Sequence, residues 1–393
     1  MEEDQQLAIS KRLLGLGASA AIIMAACGPA ASQAPTTGPV ATGPAATGPA
    51  ATTPGSTGAA IDLKACVAFD TGGLGDKNFN DLAKKGLDDA EAAGFEVAFS
   101  EAQGATDYAA NITRLVDQGC EAIVTVGFLQ GEATAAATAL YPEIAFAQVD
   151  TCWGGTNFDC TNPDPPIPAN FTGLDYQIDQ AAMLAGYLAA GWSKSGKIGT
   201  YGGQQFPGVT RFMDGMFAGI AYYNQEKGTT VTLLGWDGAG NGTFVGGDNP
   251  WNDPAKGEQL AQTLIDQGVD IVHPVAGATG NGSIKAMHDA GLWAIGVDTD
   301  QYLSLGPPTN GALLTSAQKA IDVSVLDFFN QVNEGYLGGR DYSGTLRNNG
   351  VILAPFHDYE AEIPADLKAG IEALRLALVD GQVSVCEYLA NPC

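Results

Sequence analysis

Several side chains able to bind a small molecule stand where predicted strands end. Asp70, Phe79 and Asn80 belong to a glycine-rich loop and helix start behind the first apolar run, and Asp150 and Asp298 follow two later runs. Carboxylate and amide oxygens accept hydrogen bonds, and a phenylalanine ring offers a flat apolar face. These residue types at these places indicate a binding site for a small polar molecule.

Carboxylates in a cleft also suit an enzyme, so catalysis is the rival interpretation. The chain has only three histidines, His273, His288 and His357, and they lack the spacing of metal ligands. It also has no Gly-x-Ser-x-Gly elbow and no phosphate loop of the Walker type. The sequence therefore predicts a binding protein without catalytic residues, metal or cofactor.

The elements that would position these side chains follow an alternating pattern. From Asp62 onward, short apolar runs alternate with helical patterns every 25 to 30 residues or so, which is typical of βαβ units and parallel sheets. One series of candidate strands covers 64–69, 95–99, 122–126 and 144–149, and a second covers 197–201, 230–234, 271–275 and 292–297. The pattern predicts an α/β protein with two doubly wound parallel-sheet lobes, and such lobes bind ligands at the carboxyl ends of their strands.

Two lobes and several hinge crossings follow from the order of these elements. We predict lobe 1 at 61–170 with part of about 303–345, and lobe 2 at 171–302 with part of about 346–393. Helices are predicted at 79–93, 108–118, 176–192, 316–336 and 364–378. The late elements do not make a complete lobe, so they are expected to return to the existing two through a multi-strand hinge.

The first sixty residues have the pattern of an exported, lipid-anchored protein. Lys11 and Arg12 precede a short apolar run that ends at Met24-Ala25-Ala26-Cys27, which resembles a lipobox with Cys27 as the lipid attachment point. We therefore predict a signal peptide at 1–27. Residues 28–60 are almost entirely Ala, Thr, Gly and Pro, a composition that predicts a disordered tether.

Cysteine count and net charge agree with this location. Six cysteines remain besides Cys27, an even number suited to disulfides outside the cytoplasm. The predicted pairs are Cys152 with Cys160, Cys386 with Cys393, and Cys66 with Cys120, with free buried thiols as the alternative for the third pair. The formal net charge of −26 makes binding to nucleic acid or anionic lipid headgroups unfavourable.

The glycine-rich loop also carries a family resemblance. It reads Asp70-Thr-Gly-Gly-Leu-Gly-Asp-Lys-Asn-Phe79-Asn80, and it resembles the signature of the basic-membrane-protein family of substrate-binding lipoproteins, also called the purine nucleoside receptor family. Further motifs follow in the family's order over about 62–340. They are Gly127-Phe128, Gly202-Gly203, Phe212-Met-Asp-Gly215-Met-Phe-Ala-Gly219, Ala276-Gly277-Ala-Thr-Gly280-Asn-Gly282, Gly296-Val-Asp298-Thr-Asp300-Gln301 and Thr315-Ser-Ala-Gln-Lys319.

The resemblance implies a type I periplasmic-binding-protein fold with a nucleoside in the cleft. It places one aromatic face at Phe79 and a second, from the other lobe, at Trp251, where the family often has Phe. Asp298 would accept both ribose hydroxyls, and Lys319 would donate to a ribose oxygen. Gly277 would let the backbone approach the sugar closely.

The remaining predicted ligand residues are Asp70, Asn80 and Asp150, as candidates for the base edge, and Phe128. The implied function is an extracytoplasmic lipoprotein, expected to be a monomer, that delivers a nucleoside to an ABC permease powered by a cytoplasmic ATPase. A sugar receptor of the same fold is the alternative within this class. A nucleoside-processing enzyme and a lipoprotein that only signals or adheres are the alternatives outside it.

Overall fold

Strands and helices alternate along the computed structural model, which describes residues 61–153 and 165–390. The strands are β1 Lys64–Phe69, β2 Glu96–Glu101, β3 Ala122–Val126, β4 Ala145–Val149, β5 Phe171–Tyr176, β6 Lys197–Gly202, β7 Thr232–Leu234, β8 Ile271–Val275, β9 Trp293–Asp298, β10 Leu313–Lys319, β11 Tyr342–Gly344 and β12 Val351–Leu353. The α-helices are α1 Phe79–Ala93, α2 Tyr108–Asp117, α3 Gly131–Leu140, α4 Ile178–Trp192, α5 Pro207–Lys227, α6 Pro254–Asp266, α7 Gly277–Asp289, α8 Gln301–Leu305, α9 Ile321–Asn333 and α10 Ala365–Val379.

The strands form two six-stranded sheets, one in each lobe. Lobe 1 has the order β11-β5-β4-β3-β1-β2, and lobe 2 has the order β12-β10-β9-β8-β6-β7. Every pairing is parallel except that of β12 with β10. Helices α1 and α9 pack together on lobe 1, and α4 packs with α5 and α10 on lobe 2. The predicted α/β architecture of two doubly wound, mostly parallel sheets is confirmed.

Local sequence explains where the helices that carry or directly follow site residues begin. The side chain of Asn78 accepts a hydrogen bond from the Phe79 amide at the start of α1. At the start of α6, the Asp253 side chain accepts from the Lys256 amide and Pro254 occupies the first turn. Side-chain acceptors at these positions satisfy amides that have no partner within the helix, and proline lacks the amide altogether. Each helix therefore starts directly behind a loop at the cleft.

The chain crosses between the lobes three times within the described residues. It crosses between β5 and α4, between β10 and α9, and between β11 and β12. Arg211 on α5 bridges the first crossing, because its guanidinium donates to Asp175 Oδ1 at 2.7 Å and to the Tyr176 carbonyl at 3.1 Å. Within the described residues, several segments of the chain therefore join the lobes, as the sequence predicts.

Two details differ from the sequence prediction. Residues 171–176 pair with β4, so they belong to lobe 1 and the crossing into lobe 2 comes after Tyr176, not at 171. The predicted helix 316–336 is wrong at its start, because Ser316–Lys319 continue β10 in lobe 2 beside β9. Buried partners offset the polar character of this strand: the Thr315 hydroxyl donates to the Ala354 carbonyl at 2.7 Å.

The cysteine pairing is confirmed where both partners are described. Cys66 on β1 is bonded to Cys120, directly before the neighbouring strand β3, with their Cα atoms 6.0 Å apart. Cys152 and Cys386 are not free. Their predicted partners Cys160 and Cys393 lie outside the described residues, as do the predicted signal peptide, Cys27 and the tether. In the described ranges, every helix is too short or too polar to span a bilayer.

Candidate ligand-binding site

A cavity lies between the lobes, at the carboxyl ends of strands from both sheets. It contains about 570 Å³ of space free of protein atoms, including its opening to solvent. All nine residues predicted from the sequence line it: Asp70, Phe79, Asn80, Phe128, Asp150, Trp251, Gly277, Asp298 and Lys319. The loops behind parallel strands therefore bring together side chains that are up to 249 positions apart in the sequence, since the first and last are 70 and 319.

A buried ammonium lies between two buried carboxylates in this cavity. Lys319 Nζ is 2.7 Å from Asp150 Oδ2, which belongs to lobe 1, and 3.3 Å from Asp298 Oδ1, which belongs to lobe 2. Both aspartates have left-handed backbone conformations, with φ of 63° and 64°, that turn the chain out of the strand ends. The three side chains thus connect the lobes at the floor of the cleft.

Burial and charge oppose each other in this cluster. Burial raises the pKa of both Asp150 and Asp298, and the Lys319 ammonium counteracts that rise. Burial acts to lower the pKa of Lys319, but the two carboxylates outweigh it and raise that pKa above its usual value. Lys319 therefore stays charged at neutral pH. Asp298 Oδ1 is close enough to Lys319 Nζ for an ion pair but has no well-aligned hydrogen bond to it. This oxygen can therefore accept a hydrogen bond from another donor.

The opposite part of the cavity holds a network of acceptors from lobe 1. Asp70 Oδ1 accepts hydrogen bonds from the Gly72 amide at 2.8 Å and from Asn80 Nδ2 at 3.0 Å. Asp76 accepts the Asn80 amide at 2.8 Å and Asn80 Nδ2 at 3.1 Å. Both donor hydrogens of the Asn80 amide group are thereby used, and its Oδ1 is buried without a partner among the described residues. Burial raises the pKa of Asp70 and of Asp76 to about 6.

Aromatic rings from both lobes line the walls. Phe79 of lobe 1 and Phe212 of lobe 2 both lie beside Lys319. The Lys319 Nζ is 5.3 Å from the ring centroid of Phe79 and 4.8 Å from that of Phe212. Phe128 of lobe 1 stacks on Phe206 of lobe 2 at 5.1 Å, and Phe206 contacts Trp251 at 5.7 Å. Rings from opposite lobes can therefore face a flat guest from two directions.

Two glycines make room for Trp251 in this wall. A Cβ atom at Gly203 would come within 2.2 Å of the indole ring, so any larger residue would displace the ring. Gly277 has φ of 56°, and a Cβ there would lie 3.0 Å from the Trp251 carbonyl oxygen. Both positions require glycine because of close approach or left-handed backbone. Neither role is visible in the sequence beyond the presence of the glycine itself.

Sequence reasoning missed three polar or aromatic side chains that line the cavity, Asp76, Phe206 and Phe212. Asp76 and Phe212 stand inside the quoted family motifs, so their positions gave a signal that the prediction did not use. Phe206 precedes Pro207 at the start of α5, behind the carboxyl end of β6. Its place after a strand end was the only sequence signal for it. Asp150 was predicted at the base edge, whereas its Oδ2 is bonded to Lys319.

Histidines contribute nothing to the cavity lining. His273 lies inside β8, His288 lies beside Asp289 on α7, and His357 Nε2 is 2.7 Å from Asp300 Oδ2. Within residues 61–153 and 165–390, no group of three or more His, Cys, Asp or Glu side chains is arranged to hold a metal ion.

The fold and the cavity together define a two-lobed substrate-binding protein with a type I periplasmic-binding-protein fold. The chain belongs to the family described as ABC transporter substrate-binding protein PnrA-like, whose profile matches residues 63–363. It is therefore the substrate-binding protein of an ABC transporter, a class that works outside the cytoplasm and passes a small molecule to a permease, and its relatives are binding proteins and not enzymes.

Individual relatives agree with this assignment. The chain is 26% identical, over 82% of its length and 89% of the relative's, to the ABC transporter nucleoside-binding protein BmpA of Lactococcus lactis subsp. cremoris. It is 29% identical to basic membrane protein A1 of Borrelia garinii subsp. bavariensis, covering 80% and 86% of the two chains. A crystal structure of a solute-binding protein of an ABC transporter system from Aeropyrum pernix K1 matches with a TM-score of 0.70 and 26% identity, over 82% and 92% of the two chains.

Proposed function

We propose that the cavity binds a nucleoside, with a purine as the favoured base, and that the protein delivers it to the permease of its transporter. The observation that carries the proposal is the combination of Phe79 from lobe 1 and Trp251 from lobe 2 with the Asp298–Lys319 pair in one cavity. The rings suit a flat base and the charged pair suits a ribose. The Lactococcus relative is named as nucleoside-binding, which supports the same ligand class.

The orientation of the ligand follows from which acceptors lack partners. Asn80 Oδ1 and the Asp70 carboxylate offer acceptors to a base edge that presents N–H donors, as the edges of guanine and hypoxanthine do. Asp298 Oδ1 offers an acceptor to a ribose hydroxyl, and Lys319 is a donor beside it. The base then points toward α1 and the sugar toward the ends of β9 and β10.

The test is calorimetric titration of the protein with adenosine, guanosine, inosine, uridine, ribose and glucose. Binding of the purine nucleosides with unchanged ligand recovered afterwards is the expected result. Heat from ribose or glucose with none from any nucleoside would support the sugar-receptor alternative and contradict the proposal. Recovery of free base would reveal an enzyme.

The membrane anchor at Cys27 and a tether over 28–60 are part of the same proposal, since a receptor that feeds a permease gains from staying at the membrane. The motif Met24-Ala25-Ala26-Cys27 supports it. Expression with a clickable palmitate analogue should label the wild-type chain and leave Cys27→Ala unlabelled and released from the membrane. Equal labelling of the two chains would contradict the assignment.

A further inference from the structure

A short loop of lobe 1 is held by lobe 2 through its backbone. The carbonyl of Asp76 accepts a hydrogen bond from Asn281 Nδ2 at 2.8 Å, and the carbonyl of Lys77 accepts one from Ser304 Oγ at 2.6 Å. Asn281 lies on α7 and Ser304 on α8, so both donors belong to lobe 2. Both bonds therefore span the gap between the lobes, and they exist only while the lobes are together.

The loop that receives these bonds also positions the lobe 1 ligand residues. It runs directly into α1, whose first residues are Phe79 and Asn80. The Asp76 side chain accepts the backbone amide and the side-chain amide of Asn80, as well as the Asn78 amide at 3.0 Å. The loop cannot move away from lobe 2 without carrying the start of α1 with it.

On the lobe 2 side, Gln301 fixes the donor. Its Nε2 donates to Asn281 Oδ1 at 2.9 Å, and its Oε1 accepts from the Val297 amide at 2.8 Å. Val297 precedes Asp298, the predicted ribose ligand, at the end of β9. Because Gln301 takes up Asn281 Oδ1, the amide group of Asn281 is oriented with Nδ2 toward lobe 1. Hydrogen bonds thus connect the start of α1 in lobe 1 with the end of β9 in lobe 2. These bonds lie outside the cavity, because Asn281, Gln301 and Ser304 do not line it.

We propose that Asn281 and Ser304 form a latch that stabilises the closed form and slows release of the ligand without touching it. A bond present only in the closed form strengthens binding by its free energy in that form, and the effect falls on dissociation because the open form captures ligand before the latch closes. The latch is a set of positioning residues, and its action on a ligand rests on the proposed nucleoside function.

The test uses Asn281→Ala, Ser304→Ala and the double variant in the whole protein, with guanosine as the probe and stopped-flow fluorescence as the readout. One lost hydrogen bond corresponds to about a fivefold change, so the double variant should release guanosine at least ~10-fold faster with an association rate within about twofold of wild type. Asn330→Ala, the same change on an exposed position of α9, should leave both rates unchanged. Circular dichroism would verify that each variant is folded.

A second measurement keeps the latch separate from the ligand assignment. Small-angle scattering of the protein without ligand should give a larger radius of gyration for the double variant than for wild type and Asn330→Ala. If the wild-type protein fails to bind guanosine, the proposed function is wrong. The scattering result alone then tests whether the latch stabilises the closed form. Equal radii, or an unchanged dissociation rate in the double variant, would overturn the latch.

Discussion

At the scale of single residues, the site depends on charges that are buried and paired. Among the described residues that line the cavity, Lys319 is the only basic one, and its side chain is 2% exposed between Asp150 and Asp298. An isolated charge at such a depth would be costly, but an ion pair with further hydrogen bonds offsets much of that cost. In the proposed complex a ribose hydroxyl would satisfy Asp298 Oδ1, which the protein leaves without a hydrogen bond.

Replacement of Asp298 should weaken nucleoside binding. Asp298→Asn keeps the size and tolerates the left-handed backbone at this position, while it removes the charge that balances Lys319 and that would accept the ribose hydroxyls in the proposed complex. Hydrogen bonds to charged groups are worth about 1.5–3 kcal/mol, so affinity should fall about 10- to 100-fold in calorimetry. Asp117→Asn makes the same change at an exposed position of α2 and should bind as wild type does. Equal affinities of the two variants would remove Asp298 from the site.

His273 should make the protein sensitive to acid. It is fully buried on β8, and neither ring nitrogen has a hydrogen-bond partner among the described residues. Burial lowers its pKa from 6.5 to about 3. Below pH 6.5 the unfolded chain therefore binds a proton at this residue that the folded protein does not, so stability is lost as pH falls from 6.5 toward 3.

His273→Leu isolates this effect. The carboxyl groups of Asp70, Asp76 and Asp150, whose pKa values are raised, act in the opposite direction, since their contribution is present in acid and is lost as pH rises through about 6. They are common to both proteins and cancel in the difference. In urea unfolding between about pH 6 and 4, the free energy of unfolding of the variant should rise relative to that of wild type. The expected change is about 1.4 kcal/mol for each unit by which the pH falls. A difference that does not change with pH would contradict the buried neutral histidine.

At the scale of elements, the close contact of α4 and α5 fixes one wall of the cleft. A Cβ at Gly219 of α5 would come within 2.1 Å of the Met183 carbonyl on α4, and one at Gly186 of α4 would come within 2.4 Å of the Met216 carbonyl. The helices thus meet backbone to backbone. Helix α5 starts between Phe206 and Phe212, so its position determines where these two rings lie in the cavity.

One methyl group added at the contact of α4 and α5 should force these helices apart. Gly219→Ala is expected to cost about 1–3 kcal/mol through overpacking, visible as a lower melting temperature. Gly131→Ala is the matched control, because Gly131 has helical φ of −55° on α3 and its added Cβ would meet nothing closer than 3.6 Å. That change should be neutral or stabilising by up to about 1 kcal/mol. Equal destabilisation by both substitutions would show that α4 and α5 are not in such contact.

The sequence predicted β1–β4 and β6–β9 because parallel α/β units have a clear period, and the rule that loops meet at one edge of a sheet pointed to Asp70, Asp150 and Asp298. Trp251, Gly277 and Lys319 came from the family resemblance. Sequence periodicity did not predict β5 as a strand. It misassigned Ser316–Lys319, whose polar composition favours helix or turn, because only pairing with β9 makes a strand of them. It also could not find the latch. Asn281 and Ser304 are ordinary polar residues on helices, and their role depends on which backbone carbonyl of the other lobe comes opposite them.

At the scale of the whole molecule, acidic charge surrounds an acidic cavity. The chain has 44 acidic and 18 basic residues, a formal net charge of −26. Four carboxyl groups line the cavity, those of Asp70, Asp76, Asp150 and Asp298, against the single ammonium of Lys319. Both the long-range field and the local charges therefore oppose an anionic ligand. A neutral nucleoside avoids this repulsion, whereas a nucleotide does not.

The protein should therefore discriminate against nucleotides. Guanosine and guanosine 5′-monophosphate present the same base and sugar, so their difference in affinity measures the response to the phosphate. We expect the monophosphate to bind at least ~10-fold more weakly, about 1.4 kcal/mol, because like charges brought together in a desolvated cleft are costly. Salt screens the long-range part, so the gap should narrow, without closing, as the salt rises from about 0.05 M to about 0.5 M. Calorimetry at the two salt concentrations checks both statements. Equal affinities at low salt would mean that the negative charge of the molecule does not reach the ligand.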